Sequence, residues 1–266
     1  MSQQNIKETI EQFEREGKFW DEITPPDTSF SEPVTADYPY IRKGFLKKCD
    51  IFFKRLLIIN PFIRKQNKNL KTIVVGKENL KGIKNGVVTS NHVHIFDCFA
   101  VKKALKPKRA KFVVADFNLR NDNIIHKMMQ VEGILPLSKN LSAMRKFEEA
   151  FEFYLNKNQF VAIYPEQCLW PMYEKPRPFK GGAFKYAVKY NVPIIPMFIT
   201  FRPSGIFDEN GIEQKYFTVN IMPPIYANKE LSPKEQELDL MKRNYEMCVK
   251  KYEEVYNKKM EYLTKE

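Results

Sequence analysis

Val87-Val88-Thr89-Ser90-Asn91-His92-Val93-His94-Ile95-Phe96-Asp97-Cys98-Phe99-Ala100-Val101-Lys102-Lys103-Ala104-Leu105 carries two hydrophobic periodicities within one segment. The short β-branched run Val87–Ser90 predicts a strand, and Phe96–Leu105 has helical spacing, so a strand here turns directly into a helix. Working outward, Thr72–Gly76, Phe112–Ala115, Phe160–Tyr164, Ile194–Phe201 and Phe217–Met222 read as further strands. Asn123–Val131, Ser142–Leu155 and Ala183–Tyr190 read as helices between several of them. Strands alternating with helices predict an α/β fold, a mostly parallel central sheet flanked by helices. At the far end Ser232-Pro233-Lys234-Glu235 supplies an N-cap, a first-turn proline and a capping-box acid. Leu238, Met241, Tyr245, Cys248, Tyr252 and Val255 follow at helical spacing, predicting a helix packed on the sheet.

Before the alternating region the chain is different. Residues 1 to 19 read as a polar helix with Ile6, Ile10 and Phe13 on one stripe, followed by a linker from Thr24 to Pro39 broken by four prolines. This divides the chain into an N-terminal helix and linker, 1–39, and a main domain, 40–266. The main domain opens with a helix expected over residues 41–58. Phe45, Leu46, Cys49, Phe52, Phe53, Leu56 and Leu57 recur there at three- and four-residue steps, with Lys and Arg on the other face, and Pro61 is expected to end it. Such a helix can lie in a lipid headgroup layer or dock on a core with its basic face in solvent.

The whole chain of 266 residues carries a net charge of +12. Between Tyr40 and Lys71 stand ten basic residues against the single acid Asp50, so an anionic partner should meet this segment. Basic residues sharing a helix with an apolar stripe favour a phospholipid surface, and nucleic acid is not expected. With 43% hydrophobic and 14% aromatic residues, a disordered polymer is excluded. Cys49, Cys98, Cys168 and Cys248 lie far apart without metal spacing, as free thiols of a reducing compartment do. No run approaches 18 apolar residues, so no bilayer-spanning helix is predicted.

Three histidines occur, His92, His94 and His126, two of them at the strand-to-helix turn where α/β sheets commonly hold functional groups. A neutral histidine can take the proton of an attacking hydroxyl, and Asp97, five residues on, can fold back to hold the ring's other nitrogen. The plainer reading is a buried, satisfied histidine and a helix-capping aspartate. A metal site is the third: His92, His94 and Asp97 resemble hydrolase ligands, but Phe96 stands where the usual aspartate would. A second constellation is Tyr164-Pro165-Glu166-Gln167, at another strand end, with Lys175-Pro176-Arg177-Pro178-Phe179-Lys180-Gly181-Gly182 beyond it. Backbone N–H groups at a helix start beside lysine can hold a phosphate, although a basic turn is the simpler reading. Gly133-Ile134-Leu135-Pro136-Leu137-Ser138-Lys139 reads, without context, as a buried strand.

Taken in order, these blocks resemble the 1-acylglycerol-3-phosphate acyltransferase family, part of the glycerophospholipid acyltransferase superfamily, over roughly residues 70 to 225. The H-x4-D block matches His92 to Asp97; the glycine-led block is similar to Gly133–Ser138. The Pro-Glu-Gly-Thr-Arg block is similar to Pro165-Glu166-Gln167-Cys168-Leu169, and the Val-Pro-Ile-Val-Pro block to Val192-Pro193-Ile194-Ile195-Pro196. The resemblance implies direct transfer of a fatty acyl group from acyl-coenzyme A or acyl carrier protein to a lysophospholipid acceptor. His92 would be the general base and Asp97 would orient it, with no metal or redox cofactor. It also implies acceptor-binding groups at Gly133, Lys139, Glu166 and Lys180, and a peripheral position on the cytoplasmic face of a membrane. Leu169 stands where the family carries an arginine for the acceptor phosphate, Gln167 replaces a glycine, and Ser138 with Lys139 ends the second block in place of arginine. Lysine and arginine are not interchangeable at phosphate. Either Lys139, Arg145, Arg177 and Lys180 supply the charge, or the acceptor differs from lysophosphatidic acid.

Overall fold

The computed structural model describes residues 3–25, 33–119, 124–208, 211 and 213–263. Residues 26–32 of the proline-rich linker and Asn123 of the expected helix lie outside the described residues, as does the side chain of His126. Seven strands form one sheet: β1 (Ile73–Val75), β2 (Gly86–Thr89), β3 (Ala110–Val114), β4 (Leu135–Pro136), β5 (Phe160–Ile163), β6 (Ile194–Phe207) and β7 (Glu213–Ile221). Their order is β1-β7-β6-β2-β5-β3-β4. β6, β2, β5, β3 and β4 run parallel, with Val88 level with Ala162 on one side and Ile195 on the other, while β7 runs antiparallel to β6. This is the mostly parallel α/β sheet expected from the alternation.

The helices are α1 (Gln3–Arg15), α2 (Phe45–Lys54), α3 (Asn60–Asn69), α4 (Asp97–Leu105), α5 (Ile124–Glu132), α6 (Leu141–Asn156), α7 (Gly182–Lys189) and α8 (Pro233–Tyr256). They cover both faces of the sheet, which is why its central strands are unbroken apolar runs and do not alternate. On one face Val87, Val161 and Ile194 pack with Phe147 and Phe151 of α6, Phe184 of α7 and Leu240 of α8. On the other, Val88, Ala162 and Ile195 meet Ala100, Val101, Ala104 and Leu105 of α4. The capping box at Ser232 and Glu235 starts α8 as expected. Asn244 then ties that helix to β2, accepting a 2.6 Å hydrogen bond from the Thr89 hydroxyl with both groups buried.

Three sequence expectations need correction. Pro61 does not end its helix. After α2 the residues Arg55–Ile59 form one wide π-type turn, with Asn60 N–H bonding back to Arg55 O, and α3 carries the helical path on to Asn69. Pro61 falls in the first turn of α3, where its missing N–H is tolerated because the hydrogen-bond register has just been reset. The helix also starts at Phe45, later than residue 41, behind Gly44 at a φ of 94°. Finally, β6 runs past Phe201 to Phe207, and β7 starts at Glu213, ahead of Phe217. These extensions form a two-stranded ribbon, in which Pro203 pairs with Lys215 beside a bulge and removes no ladder bond that a central strand would need.

Buried-side anchoring of α2 and α3 begins only at Ile59 and Ile63, which pack with Phe99 and Met128. N-terminal to that point the apolar stripe faces outward: Phe45 and Leu46 are 80% and 83% exposed, and Phe52, Phe53, Leu56, Leu57 and Ile58 are also exposed. No helix among the described residues is long and apolar enough to cross a membrane.

Substituting Asn244→Ala leaves the Thr89 hydroxyl buried without its partner. The expected loss is about 1–3 kcal/mol of unfolding free energy, read as a lower urea midpoint at unchanged slope.

Candidate active site

β2 leaves the sheet after Thr89, and the side chain of Asn91 takes over its pairing with β6. Asn91 Oδ1 accepts from Ile199 N–H at 2.7 Å and its Nδ2 donates to Ile199 O at 2.9 Å. The amide thus imitates one more peptide of the ladder and sets the direction in which His92 departs. Sequence reasoning passed over Asn91; an amide directly after a strand's last residue is the signal that was available.

The turn then closes on Asp97, the first residue of α4. Its Oδ2 lies 2.7 Å from His92 Nδ1 and accepts from the N–H groups of Val93 at 3.0 Å and His94 at 3.3 Å. Oδ1 accepts from the Tyr164 hydroxyl at 2.8 Å. The carboxylate is 1% exposed and stands at a helix N-terminus, where the backbone dipole favours negative charge. With Asp97 an acceptor, the proton of a neutral His92 belongs on Nδ1, which leaves the lone pair on Nε2. The ring is one-quarter exposed and lies flat on Tyr164, centroids 4.4 Å apart. Burial and the neighbouring Asp97 push the Tyr164 hydroxyl well above its usual range, so it remains a donor. Tyr164 thus holds both members of the pair, a role its position before Pro165-Glu166 did not disclose.

His94 points elsewhere. Its Nδ1 accepts from Phe96 N–H at 3.0 Å, its ring meets Phe217 edge-on, and burial lowers its pKa. A metal reading would need Asp97 as a ligand, yet both carboxylate oxygens are engaged by hydrogen bonds. Among the described residues no three such side chains gather as metal ligands.

The loop after β5 sits directly behind this turn. Glu166, expected as an acceptor-binding group, is 1% exposed and turned inward. It takes Arg177 N–H on Oε1 at 3.0 Å, Arg177 Nε and Nη2 on Oε2 at 3.2 and 3.0 Å, and His92 N–H on Oε2 at 3.2 Å. Arg177 is itself fully buried, so neither of these groups is placed to meet a phosphate. Gln167, at the position where glycine was expected, has φ of 70°, the left-handed conformation glycine adopts without strain. Lys180 is exposed, its ammonium 3.8 Å from the centre of the Trp20 ring, and its backbone N–H bonds to Pro165 O. Lys139 is exposed just past β4, on the same sheet edge from which His92 and Glu166 emerge.

Gly133 lies at the opposite end of β4, buried, at φ of 74°. A Cβ there would run into the ammonium of Lys111. Beside it four cations converge on the C-terminus of α5, a cluster the sequence did not show because its members come from four elements. Arg42 donates to Val131 O at 3.0 Å and to Gln130 O; Arg55 donates to the Glu132 carboxylate at 3.0 Å and to its carbonyl at 3.1 Å. Lys102 pairs with the Glu132 carboxylate, and Lys111 donates to Glu132 O at 3.1 Å. These groups cap the helix's free carbonyls. The excess positive charge has a consequence: burial first, then Arg55 and Arg42, pushes the Lys111 amine down to about 7.

Comparison with known proteins places this geometry. Residues 71–200 match the family model described as Acyltransferase, a span that contains His92, Asp97, the glycine-led segment and the Glu166 loop. The fold is similar to the crystal structure of the 1-acyl-sn-glycerophosphate (LPA) acyltransferase PlsC from Thermotoga maritima. The TM-score is 0.51 at 18% identity, over 81% of this chain and 91% of that one. No curated protein matches the chain. The matched domain and the shared fold support an acyltransferase.

The depressed Lys111 amine makes a signed prediction. Below about 7 the folded chain must carry a buried ammonium; between about 7 and the ordinary 10.5 the unfolded chain binds the extra proton, so stability rises with pH. Denaturation of wild type should show this rise, and Lys111→Met should remove up to about 1 kcal/mol per pH unit of it.

Proposed function

We propose that the chain moves a fatty acyl group from a thioester, on coenzyme A or acyl carrier protein, to the hydroxyl of a lysophospholipid-type acceptor at a membrane surface. The observation that carries this reading is the His92–Asp97 pair, its ring one-quarter exposed, inside the segment that matches the acyltransferase family. His92 Nε2 removes the hydroxyl proton as the oxygen attacks the thioester carbonyl, and the tetrahedral intermediate collapses with the thiolate leaving. The proton on His92 then passes to the departing sulfur, which restores the base. Asp97 holds the ring's tautomer throughout and stabilises the transient imidazolium. This direct transfer needs no acyl-enzyme and no metal or redox cofactor.

Among the acceptor-binding candidates, Lys139 and Lys180 offer exposed ammonium groups to an acceptor phosphate. Gly133 contributes through its backbone shape and Glu166 from behind His92. With Leu169 in place of an arginine and Arg177 committed to Glu166, the acceptor phosphate meets lysine charges, and lysophosphatidic acid or a related lysophospholipid remains the acceptor class. The outward apolar stripe of α2, together with exposed Ile95 in the His92 turn, supports docking on phospholipid. The four free thiols accord with the cytoplasmic face.

Purified protein offered acyl-coenzyme A and acyl carrier protein with a panel of lysophospholipids should show transfer, and His92→Ala should lose it by about 10²–10⁴-fold. Full activity in that variant overturns the general-base reading. Separately, Phe53→Asp with Leu57→Asp should abolish co-sedimentation with anionic vesicles at moderate salt while the melting temperature changes little, because both side chains are already in solvent.

A further inference from the structure

The N-terminal segment takes no part in the chemistry above, yet it is built into the loop that backs His92. Ile10 of α1, Phe19 and Ile23 pack with Cys168, Trp170 and Tyr173, and the Phe19 ring stacks on Trp170 with centroids 6.1 Å apart. Three successive carbonyls of the segment each receive a donor from that loop. Phe19 O takes Arg177 Nη1 at 2.9 Å, Trp20 O takes the Cys168 thiol at 2.7 Å, and Asp21 O takes the Trp170 indole N–H at 3.1 Å. The C-terminal turn of α1 is anchored by buried Glu14, which accepts from Lys175 Nζ at 2.5 Å and from Leu263 N–H at 2.9 Å.

The same loop grips the catalytic turn from both sides of one residue. Glu166 receives His92 N–H, while Trp170 N–H donates to His92 O at 3.0 Å and Met172 N–H donates to Val93 O at 2.9 Å. A continuous relay therefore runs from Phe19 O through the Arg177 guanidinium and the Glu166 carboxylate to the backbone of His92. Arg177 lies 4.6 Å from the centre of the Trp170 ring and also donates to Cys168 O, so its fork has one available orientation.

Resting on the reading of His92 as the general base, we propose that Arg177, oriented by the N-terminal segment, is a positioning residue for catalysis: acting through Glu166, it fixes the His92 backbone so that the ring meets Asp97 and the acceptor hydroxyl together. Residues 3–24 thereby form part of the catalytic apparatus. Asp97 sets the tautomer of the base, and Arg177 with Glu166 sets where the base stands.

Arg177→Lys keeps the charge but cannot span Phe19 O and Glu166 together, and Trp170→Phe deletes the indole bond to Asp21 O while shrinking the ring that Phe19 and Arg177 face. Two readouts separate positioning from simple stabilisation: the kcat-against-KM split, and the rate at which diethyl pyrocarbonate modifies His92, located by mass spectrometry with His92→Ala as the assignment control. For folded Arg177→Lys, kcat should fall about 10–100-fold with KM within about threefold, and His92 modification should slow by at least about threefold. Trp170→Phe should move both readouts the same way by smaller factors. Unchanged kcat and unchanged His92 reactivity, with only a lower melting temperature, overturn the proposal. If wild type transfers no acyl group on any acceptor while Arg177→Lys still slows His92 modification, the proposed reaction fails and the positioning role stands.

Discussion

Glu166 and Arg177 are buried side by side, and the arrangement around His92 depends on this pair. Taking two charges out of water costs several kcal/mol each, and the cost is offset only where geometry and additional hydrogen bonds are good. Here the guanidinium and backbone of Arg177 supply three bonds to the carboxylate, and Phe19 O, Cys168 O and the Trp170 ring take up the remaining donors and face. Oε2 of Glu166, which takes both guanidinium bonds, also accepts from His92 N–H. Because neither charge tolerates desertion, every element that touches the pair is held in register: the N-terminal segment, the loop after β5 and the turn after β2.

Asp97 solves a different problem with the same means. A turn of seven residues, Ser90 to Phe96, between strand and helix leaves backbone N–H groups without ladder or helix partners. One carboxylate at the N-terminus of α4 gathers two of them, the His92 ring and the Tyr164 hydroxyl. The orientation of the His92 ring is therefore a by-product of satisfying the turn, which is how one aspartate can both cap a helix and hold a histidine ring. The plain and the chemical readings of Asp97 are not alternatives in this fold.

The basic segment between Tyr40 and Lys71 divides by side-chain direction. Arg42 and Arg55 turn inward to cap α5, whereas Phe45, Leu46, Phe52, Phe53, Leu56, Leu57 and Ile58 are exposed. The apolar stripe of α2 thus lies in solvent, whereas a soluble helix usually buries it. The π-type turn at Arg55–Ile59 marks the changeover: C-terminal to it, Ile59 and Ile63 enter the core beside Phe99. This outward apolar surface is thus anchored next to the helix that bears Asp97.

Much of this was legible in the chain itself. The switch from β-branched runs to helical spacing located six strands and the helices between them, and the apolar run after Gly133 held the seventh, β4, since periodicity depends only on which faces must be buried. The five-residue step from His92 to Asp97 was visible because both groups lie in one local turn, and so was the capping box of α8. Other features were decided by long-range contacts that no local pattern encodes. Glu166 reads as a polar residue at a strand end and became a buried partner of Arg177 only because the chain returns eleven residues later. Tyr164 and Asn91 acquired their roles from neighbouring strands, the four cations at Glu132 came together from separate elements, and Pro61 was accommodated by a wide turn. Local sequence determines which faces are apolar and which turns are possible; tertiary structure decides which polar groups meet, because buried charges and N–H groups must find partners wherever the fold brings them.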